Sequence, residues 1–361
     1  MTSTLLCGAF GQGNPGDDAL LDAFARALHG HDLLVTSPGP PGTGGHVAPT
    51  AAGVGRALLE AGAVVVGGGT VFKTLHPASG RPPHALLLRT AALVTACRAR
   101  DVPVALVGVG AGDLRTRRSR SLAAHIARHA DLVVLRDEES AAVLSDCGVA
   151  GPFRIGADAA WTVLDAPVPA ARRGALVVVS HLVHRRADRA AGLLSRVVDS
   201  LLARGLDVVL EPWQPADVEL ARKVCERDRD APVTLADRPV TLADTVQRAA
   251  RSEVVVSARF HGLVAAGTAG TPALAIAHEP KLAGLARRLD QPSVPPHATA
   301  AVVDGAVHGL LATAPPTPSA VDAERVAAAD AMRLLRLVVS GGGEDDVVDL
   351  RALALSDGVP W

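Results

Sequence analysis

Residues 253–262 read Glu-Val-Val-Val-Ser-Ala-Arg-Phe-His-Gly, and two of them could do chemistry on an anion. Arg259 offers a planar, permanently charged fork that matches carboxylate or phosphate. His261, two residues on, offers the side chain whose ordinary pKa lets it pass a proton near neutrality. The three valines predict a short buried strand ended by Ser257, and the Gly- and Ala-rich run behind it predicts a helix. Arg259 and His261 then fall where a strand feeds the first turn of a helix. That is the carboxyl edge at which open α/β sheets bind ligands, and helix-start N–H groups favour an anion there. The same spacing also fits a plainer alternative, a surface charge beside a capping imidazole.

The elements that must position these residues recur along the chain. Thr4–Phe10 reads as a buried strand entering Gly11-Gln12-Gly13-Asn14-Pro15-Gly16-Asp17-Asp18 and a helix Asp18–His29. Gly11, Gly13 and Gly16 have the spacing of a dinucleotide loop, in which glycine lets backbone approach a phosphate. The acid that should end the second strand is replaced by Thr36-Ser37-Pro38, which speaks against NAD. A strand at Ala63–Val66 enters Gly67-Gly68-Gly69-Thr70, with Lys73 beyond it. Pro103–Val109 ends in a further glycine turn, Gly108–Gly112. Leu132–Leu135 enters Arg136-Asp137-Glu138-Glu139-Ser140. Arg136 is a second candidate anion clamp or, alternatively, the ion-pair partner of a helix-start acid. In the second half, strands at Ala175–Ser180, Asp207–Glu211, Val254–Ser257 and Pro272–Ala277 alternate with helices, the last strand leading to His278-Glu279-Pro280-Lys281. His181 and His184 follow the first of these strands, where a hydrated loop is the alternative to a place in a site.

Strand, glycine turn and helix alternate throughout, so the fold class expected is α/β with parallel sheets. At 361 residues the chain exceeds one ordinary core, and the Pro- and Arg-containing stretch Asp165–Arg173 separates two halves. The expected division is a Rossmann-like domain at 1–165 and a second at 174–318, facing each other across a cleft. Residues 319–339 would form a helix packing back on the first domain, and 340–361 a flexible tail. Ser37–Thr50 reads as a mobile loop or lid, Thr74–Pro83 as a second loop selecting an acceptor, and Gln291–Pro318 as a connector.

Composition removes whole classes of function. Aromatic residues are 2% of the chain and tyrosine is absent, so stacking platforms for single-stranded nucleic acid are missing. A formal net charge of −1 creates no field that would gather nucleic acid or an anionic membrane. Four cysteines without a C-x-x-C pair predict neither a zinc site nor a disulfide framework, and a reducing cytoplasm is expected. No signal peptide and no transmembrane segment is read. No metal and no cofactor is expected.

Taken together, these pieces resemble the polysaccharide pyruvyl transferase family from about Leu5 to Leu289. The resemblance is carried by Gly11–Leu20, Gly67-Gly68-Gly69-Thr70, Gly108-Val109-Gly110, Arg136-Asp137-Glu138-Glu139-Ser140, Ala157-Asp158, Ser257-Ala258-Arg259-Phe260-His261-Gly262 and Pro280-Lys281, in the family's order. It implies a GT-B-like pair of Rossmann-like domains and a role in cell-envelope polysaccharide biosynthesis. The implied reaction moves the enolpyruvyl unit of phosphoenolpyruvate onto hydroxyls of a glycan or lipid-linked sugar as a ketal, releasing phosphate. The implied catalytic residues are His261 and Arg259. The implied substrate-binding residues are Arg136, Lys281, Ser257, Gly13, Asn14, Asp17, Gly68, Gly69 and Lys73. A homo-oligomer is compatible with the sequence. One departure stands out: where many members carry an acid after the triple glycine, this chain has Lys73 and Thr74. Two other readings stay open. One is a glycosyltransferase using a nucleotide-sugar, with Glu211 holding a ribose and Pro212-Trp213 beside it to stack a base. The other is a non-catalytic anion-binding protein on the same fold.

Overall fold

The computed structural model describes residues 3–75, 80–184, 186–227, 231–237 and 240–341. His76 in the second expected loop and residues 342–361 of the expected tail lie outside the described residues. The chain divides into two compact units. The first is built from residues 3–12, 20–162 and 324–341, and the second from Gly13–Ala19 and Val163–Ala323.

The first unit runs β1 (Ser3–Cys7), α1 (Pro15–Ala27, whose first turn belongs to the second unit), β2 (Leu33–Thr36), β3 (Gly45–Val47), α2 (Ala51–Glu60), β4 (Ala61–Gly67), β5 (Thr70–Phe72), α3 (Ala85–Arg98), β6 (Val104–Ala111), α4 (Arg117–His129), β7 (Leu132–Leu135), α5 (Glu138–Asp146) and β8 (Phe153–Ile155). Its sheet is parallel, in the order β3-β2-β1-β4-β6-β7-β8, with β5 paired to β6. The central strands are near-continuous apolar runs because helices cover both faces; β6, for example, is buried from Val104 to Gly110. Side chains close the helix starts: Thr50 accepts from Gly53 N on α2, and Thr116 and Ser119 form a reciprocal capping box on α4.

The second unit runs β9 (Ala175–Val179), α6 (Ala187–Leu202), β10 (Val208–Pro212), α7 (Pro215–Cys225), β11 (Val233–Leu235), α8 (Leu242–Arg251), β12 (Val254–Ser257), α9 (Phe260–Thr268), β13 (Ala273–Ile276), α10 (Pro280–Arg288), β14 (Ser293–Val294) and α11 (Ala300–Leu311). A final helix, α12 (Pro318–Val339), leaves this unit and enters the first. There Gly156 lies against Ala327 O and Ala331. The second sheet is also parallel, in the order β11-β10-β9-β12-β13-β14. In both sheets the first strand is central and the chain builds outward on one side, then the other. The order reverses between β1 and β4 and between β9 and β12. Open α/β sheets bind ligands at the carboxyl ends of such a reversal.

Two sequence expectations are corrected. Ser37–Thr50 is not wholly a loop: β3 pairs with β2, and Ser37 N donates to Val47 O at 3.1 Å, so the Gly/Pro stretch ends as an edge strand. Gln291–Pro318 is not a plain connector, because β14 and α11 fold within it. Val303, Val307 and Leu310 sit on one helical face and are buried in the second unit's core. The alanines and flanking prolines obscured that period. No helix among the described residues is long and apolar enough to cross a membrane.

Candidate active site

Three neighbouring strands of the second sheet, β10, β9 and β12, end around one carboxylate. Ser257 closes β12, its Oγ accepting from Arg259 N at 3.1 Å and donating to Arg259 O at 2.8 Å. Gly262 must lack a side chain, since a Cβ there would overlap Ser257 Oγ. Arg259 is the N-cap of α9 but caps nothing with its side chain. Its guanidinium instead reaches back across the sheet ends. Nε donates to Val179 O at 3.2 Å, and Nη2 donates to Gln214 Oε1 at 3.2 Å and to the Asp217 carboxylate. The guanidinium carbon also lies 5.6 Å from the Trp213 ring centre, within range of a cation–π attraction.

Asp217, in the first turn of α7, is wholly buried. Besides Arg259 Nη2 it accepts from His181 N (2.8 Å), His181 Nδ1 (2.7 Å), Gln214 N (3.0 Å) and Trp213 N (3.3 Å). Burial alone would raise its pKa. The hydrogen bond from His181 and the charge of Arg259 outweigh burial and hold the carboxyl down to about 2. The sequence reading missed Asp217. Its one local signal, an acid three residues after Gln214 and behind Pro215, announces only a helix start.

His261 lies in the first turn of α9, buried, with its ring edge-on to Phe260 at 5.6 Å. Gly16 lies against it, and a Cβ there would overlap Nδ1 of the imidazole. Gly16 belongs to the segment Gly13–Ala19 of this same unit. The segment is shaped by Gly13 at φ +70° and by Asn14, whose Oδ1 accepts from Gly16 N at 3.2 Å and whose Nδ2 donates to Asp17 Oδ2 at 2.7 Å. The structure thus brings the Gly13, Asn14 and Asp17 loop to His261. Lys281, in the first turn of α10, pairs with Glu279 at 2.5 Å. At the end of β13, burial pushes the His278 imidazole below its usual pKa. Lys281 and Arg259 add to that fall and Glu279 opposes it.

The candidates of the first unit form a different arrangement. Gly68 (φ +67°) and Gly69 (φ +71°) make the left-handed turn after β4. Gly68 is required by packing as well as by conformation, because Leu20 of α1 fills the place of its Cβ. Lys73 follows β5, half-buried. Arg136 is only 3% exposed; Nε pairs with Asp137 at 3.2 Å and Nη2 donates to Thr70 Oγ1 at 3.0 Å. The guanidinium lies against Gly110, where a Cβ would stand 2.6 Å from Nη2. Asp137 also caps α5, accepting from Ser140 N at 2.7 Å and from Ser140 Oγ. This is the local ion pair with a helix-start acid that the sequence allowed as an alternative.

Glu211 does not fit the ribose-holding role. Its wholly buried carboxylate accepts from Trp213 Nε1 (2.8 Å), Thr245 Oγ1 (2.5 Å) and Arg248 Nη1 (2.8 Å). Trp213 is itself buried and presents no face for a base.

The model of the polysaccharide pyruvyl transferase family matches residues 14–280, well over half of the chain. The chain belongs to the polysaccharide pyruvyl transferase family. The matched stretch takes in Arg136, Arg259 and His261, beginning one residue after Gly13 and ending one residue before Lys281. Among curated proteins, none matches the sequence. Solved structures similar to this family member include the UDP-N-acetylglucosamine 2-epimerase of Rickettsia bellii, at a TM-score of 0.62 and 14% identity, covering 94% of this chain and 97% of that one. Anabaena HepE in complex with UDP and glucose has a TM-score of 0.61 at 13% identity, and the Methanocaldococcus jannaschii UDP-GlcNAc 2-epimerase in complex with UDP-GlcNAc and UDP has 0.60 at 12%. Each of these covers 94% of this chain and 100% of its own. At such identities the likeness shows the fold, α/β with parallel sheets in Rossmann-like units. The family is one of transferases.

Proposed function

We propose that this family member is a ketal-forming pyruvyl transferase, with phosphoenolpyruvate as donor and two hydroxyls of a glycan or similar molecule as acceptor. The observation that carries the reading is Arg259 and His261 at one strand-to-helix junction, on the reversal point of the second sheet. The reaction needs a proton delivered to the methylene carbon of the donor, which becomes a methyl group and leaves an oxocarbenium centre beside it. One acceptor hydroxyl adds there, the carbon–oxygen bond to phosphate breaks, and a second hydroxyl adds to close the ketal. Of the two hydroxyl protons released, one restores the acid and the other leaves with phosphate.

His261 as imidazolium is the general acid in this scheme. Arg259 binds the donor's carboxylate or phosphate through charge-assisted hydrogen bonds, and Lys281 offsets the phosphate charge as a point cation. Ser257 fixes the turn that presents Arg259, while Gly13, Asn14 and Asp17 shape the backbone against His261. Arg136, Gly68, Gly69 and Lys73 keep the substrate-binding roles that the family resemblance implies. The scheme calls on no cofactor, and a cytoplasmic location goes with it.

Thermal unfolding of the purified chain tests the reading, with phosphoenolpyruvate at millimolar concentration and inorganic phosphate, UDP and NAD as controls. A ligand at about 100 times its Kd adds about 2.7 kcal/mol to native stability. The expected result is a raised midpoint with phosphoenolpyruvate that Arg259→Ala abolishes. A shift with UDP alone would replace this reading with a nucleotide-sugar enzyme. No shift with any of the four would favour a non-catalytic protein.

A further inference from the structure

His181 and Asp217 have no part in the scheme above, yet they are joined to Arg259. The Asp217 carboxylate is ionised and can only accept, so the proton of the bond to His181 sits on Nδ1 of the imidazole. That fixes the ring: Nδ1 faces inward to the acid, and Nε2 is the nitrogen left to meet a ligand. The His181 side chain is 34% exposed although its partner is wholly buried. Arg259 is held on the other oxygen of the same carboxylate, with Nε and Nη2 engaged. Among the described residues its Nη1 makes no hydrogen bond. His181 follows β9 and Arg259 follows β12, the two strands between which the sheet order reverses. One buried acid therefore orients a guanidinium and an imidazole at the point where this fold takes ligands, and Nε2 of that imidazole donates to an anion once the ring takes up its second proton.

We propose that Asp217 is the positioning residue of an anion site in the second unit, and that His181, as an imidazolium donating through Nε2, is a further contact to the phosphate group of the ligand. The ligand class is a phosphate ester, which on the reading above is phosphoenolpyruvate; in that identification alone the inference rests on the proposed function. The physical logic is preorganisation. A guanidinium and an imidazole held by a common acid lose little freedom when an anion arrives. The acid also offsets the cation's charge in the empty site, so that Arg259 can be kept nearly buried without a ligand.

Calorimetric titration of the full chain with phosphoenolpyruvate and, separately, with inorganic phosphate tests this. His181→Ala, a change at a partly exposed side chain, is expected to weaken both ligands about tenfold or more while leaving the unfolding midpoint within a few degrees. Asp217→Asn is expected to weaken both further and to remove the fixed tautomer of His181, read as the ring ¹⁵N shifts of the free protein. The double variant should bind no worse than Asp217→Asn alone, because the two residues act as one unit. Phosphate binding that His181→Ala weakens, with no binding of phosphoenolpyruvate, would support the site and remove the donor. Unchanged affinity in His181→Ala, or ring shifts in the free wild type that place the neutral ring's only proton on Nε2, would overturn the inference. Wild type that binds neither ligand would overturn both readings.

Discussion

Arg136 and Arg259 hold equivalent stations in the two units. Each follows a four-residue strand buried along its whole length, and each forms an ion pair with a wholly buried aspartate. The difference lies in where the aspartate comes from. Asp137 is the next residue, and it spends its other oxygen capping α5 through Ser140. Asp217 lies 42 residues before Arg259, and it gathers a second side chain, His181, from a third strand end. The first arrangement closes a helix start. The second holds a cation and an imidazole side by side at a sheet reversal. The acid that holds an arginine after a buried strand thus decides which other groups the arginine is joined to.

The comparison can be broken most directly by truncating the two arginines. Arg259→Ala leaves Asp217 buried without its cation, so urea unfolding should show a loss of about 3–5 kcal/mol, and any stabilisation by phosphoenolpyruvate should vanish. Arg136→Ala should cost less, about 1–3 kcal/mol, because Asp137 keeps the bonds from Ser140. Equal losses would mean that the two aspartates are held alike.

Acid stability sharpens the contrast next. The native pKa of Asp217 is depressed to about 2 from 3.8. Its contribution to stability is thus fully present above pH ~4 and is lost as pH falls through about 2. Urea unfolding between pH 5 and pH 2.5 should show a loss on the order of 2 kcal/mol in wild type that is missing in Asp217→Asn. A parallel pH dependence in the two proteins would remove the ion pair from the account.

A smaller effect separates two glycines of one loop. Gly16→Ala puts a methyl group into the place of the His261 imidazole. Phosphoenolpyruvate-dependent turnover or binding should fall about tenfold or more. At Gly13 nothing lies within 4 Å of a Cβ, so Gly13→Ala should cost only the strain of its positive φ, about 1–2 kcal/mol of stability. The smallest effect belongs to His278. Because its native pKa is lowered below 6.5, stability should be full above that pH and decline slightly as pH falls through it, a slope absent in His278→Asn.

How much of this could be read from the sequence follows the same division between near and far. The alternation of valine-rich runs, glycine turns and amphipathic helices was enough for two parallel sheets, and the Val254–Ser257 strand with its following helix lies where the pattern placed it. The Arg136–Asp137 pair was legible because its members are adjacent. Asp217 was not, because its meaning depends on partners 36 and 42 residues away that only the strand order brings to it. Gly16 was read as a glycine for phosphate approach, but the structure adds a neighbour, His261, that no local pattern reveals. Glu211 looked available at a strand edge until Trp213, Thr245 and Arg248 enclosed it. At β3 the strand is three residues of Gly-His-Val, too short for any period to show.

The single carboxylate beneath β9, β10 and β12 also bears on how the chain reaches its native state. An acid buried without donors is costly, and Asp217 has its full set only when all three strands are aligned in register. A slip of one residue in β9 would carry His181 to the opposite face of the sheet and leave the acid short of a partner. Misaligned sheets are thereby penalised before folding is complete. Gln214 and Trp213 are local donors, but His181 and Arg259 are distant in sequence, so the carboxylate gains its full set only after the loops between the strands have closed. The residue that arranges the anion site thus also serves the second unit as a test of correct assembly.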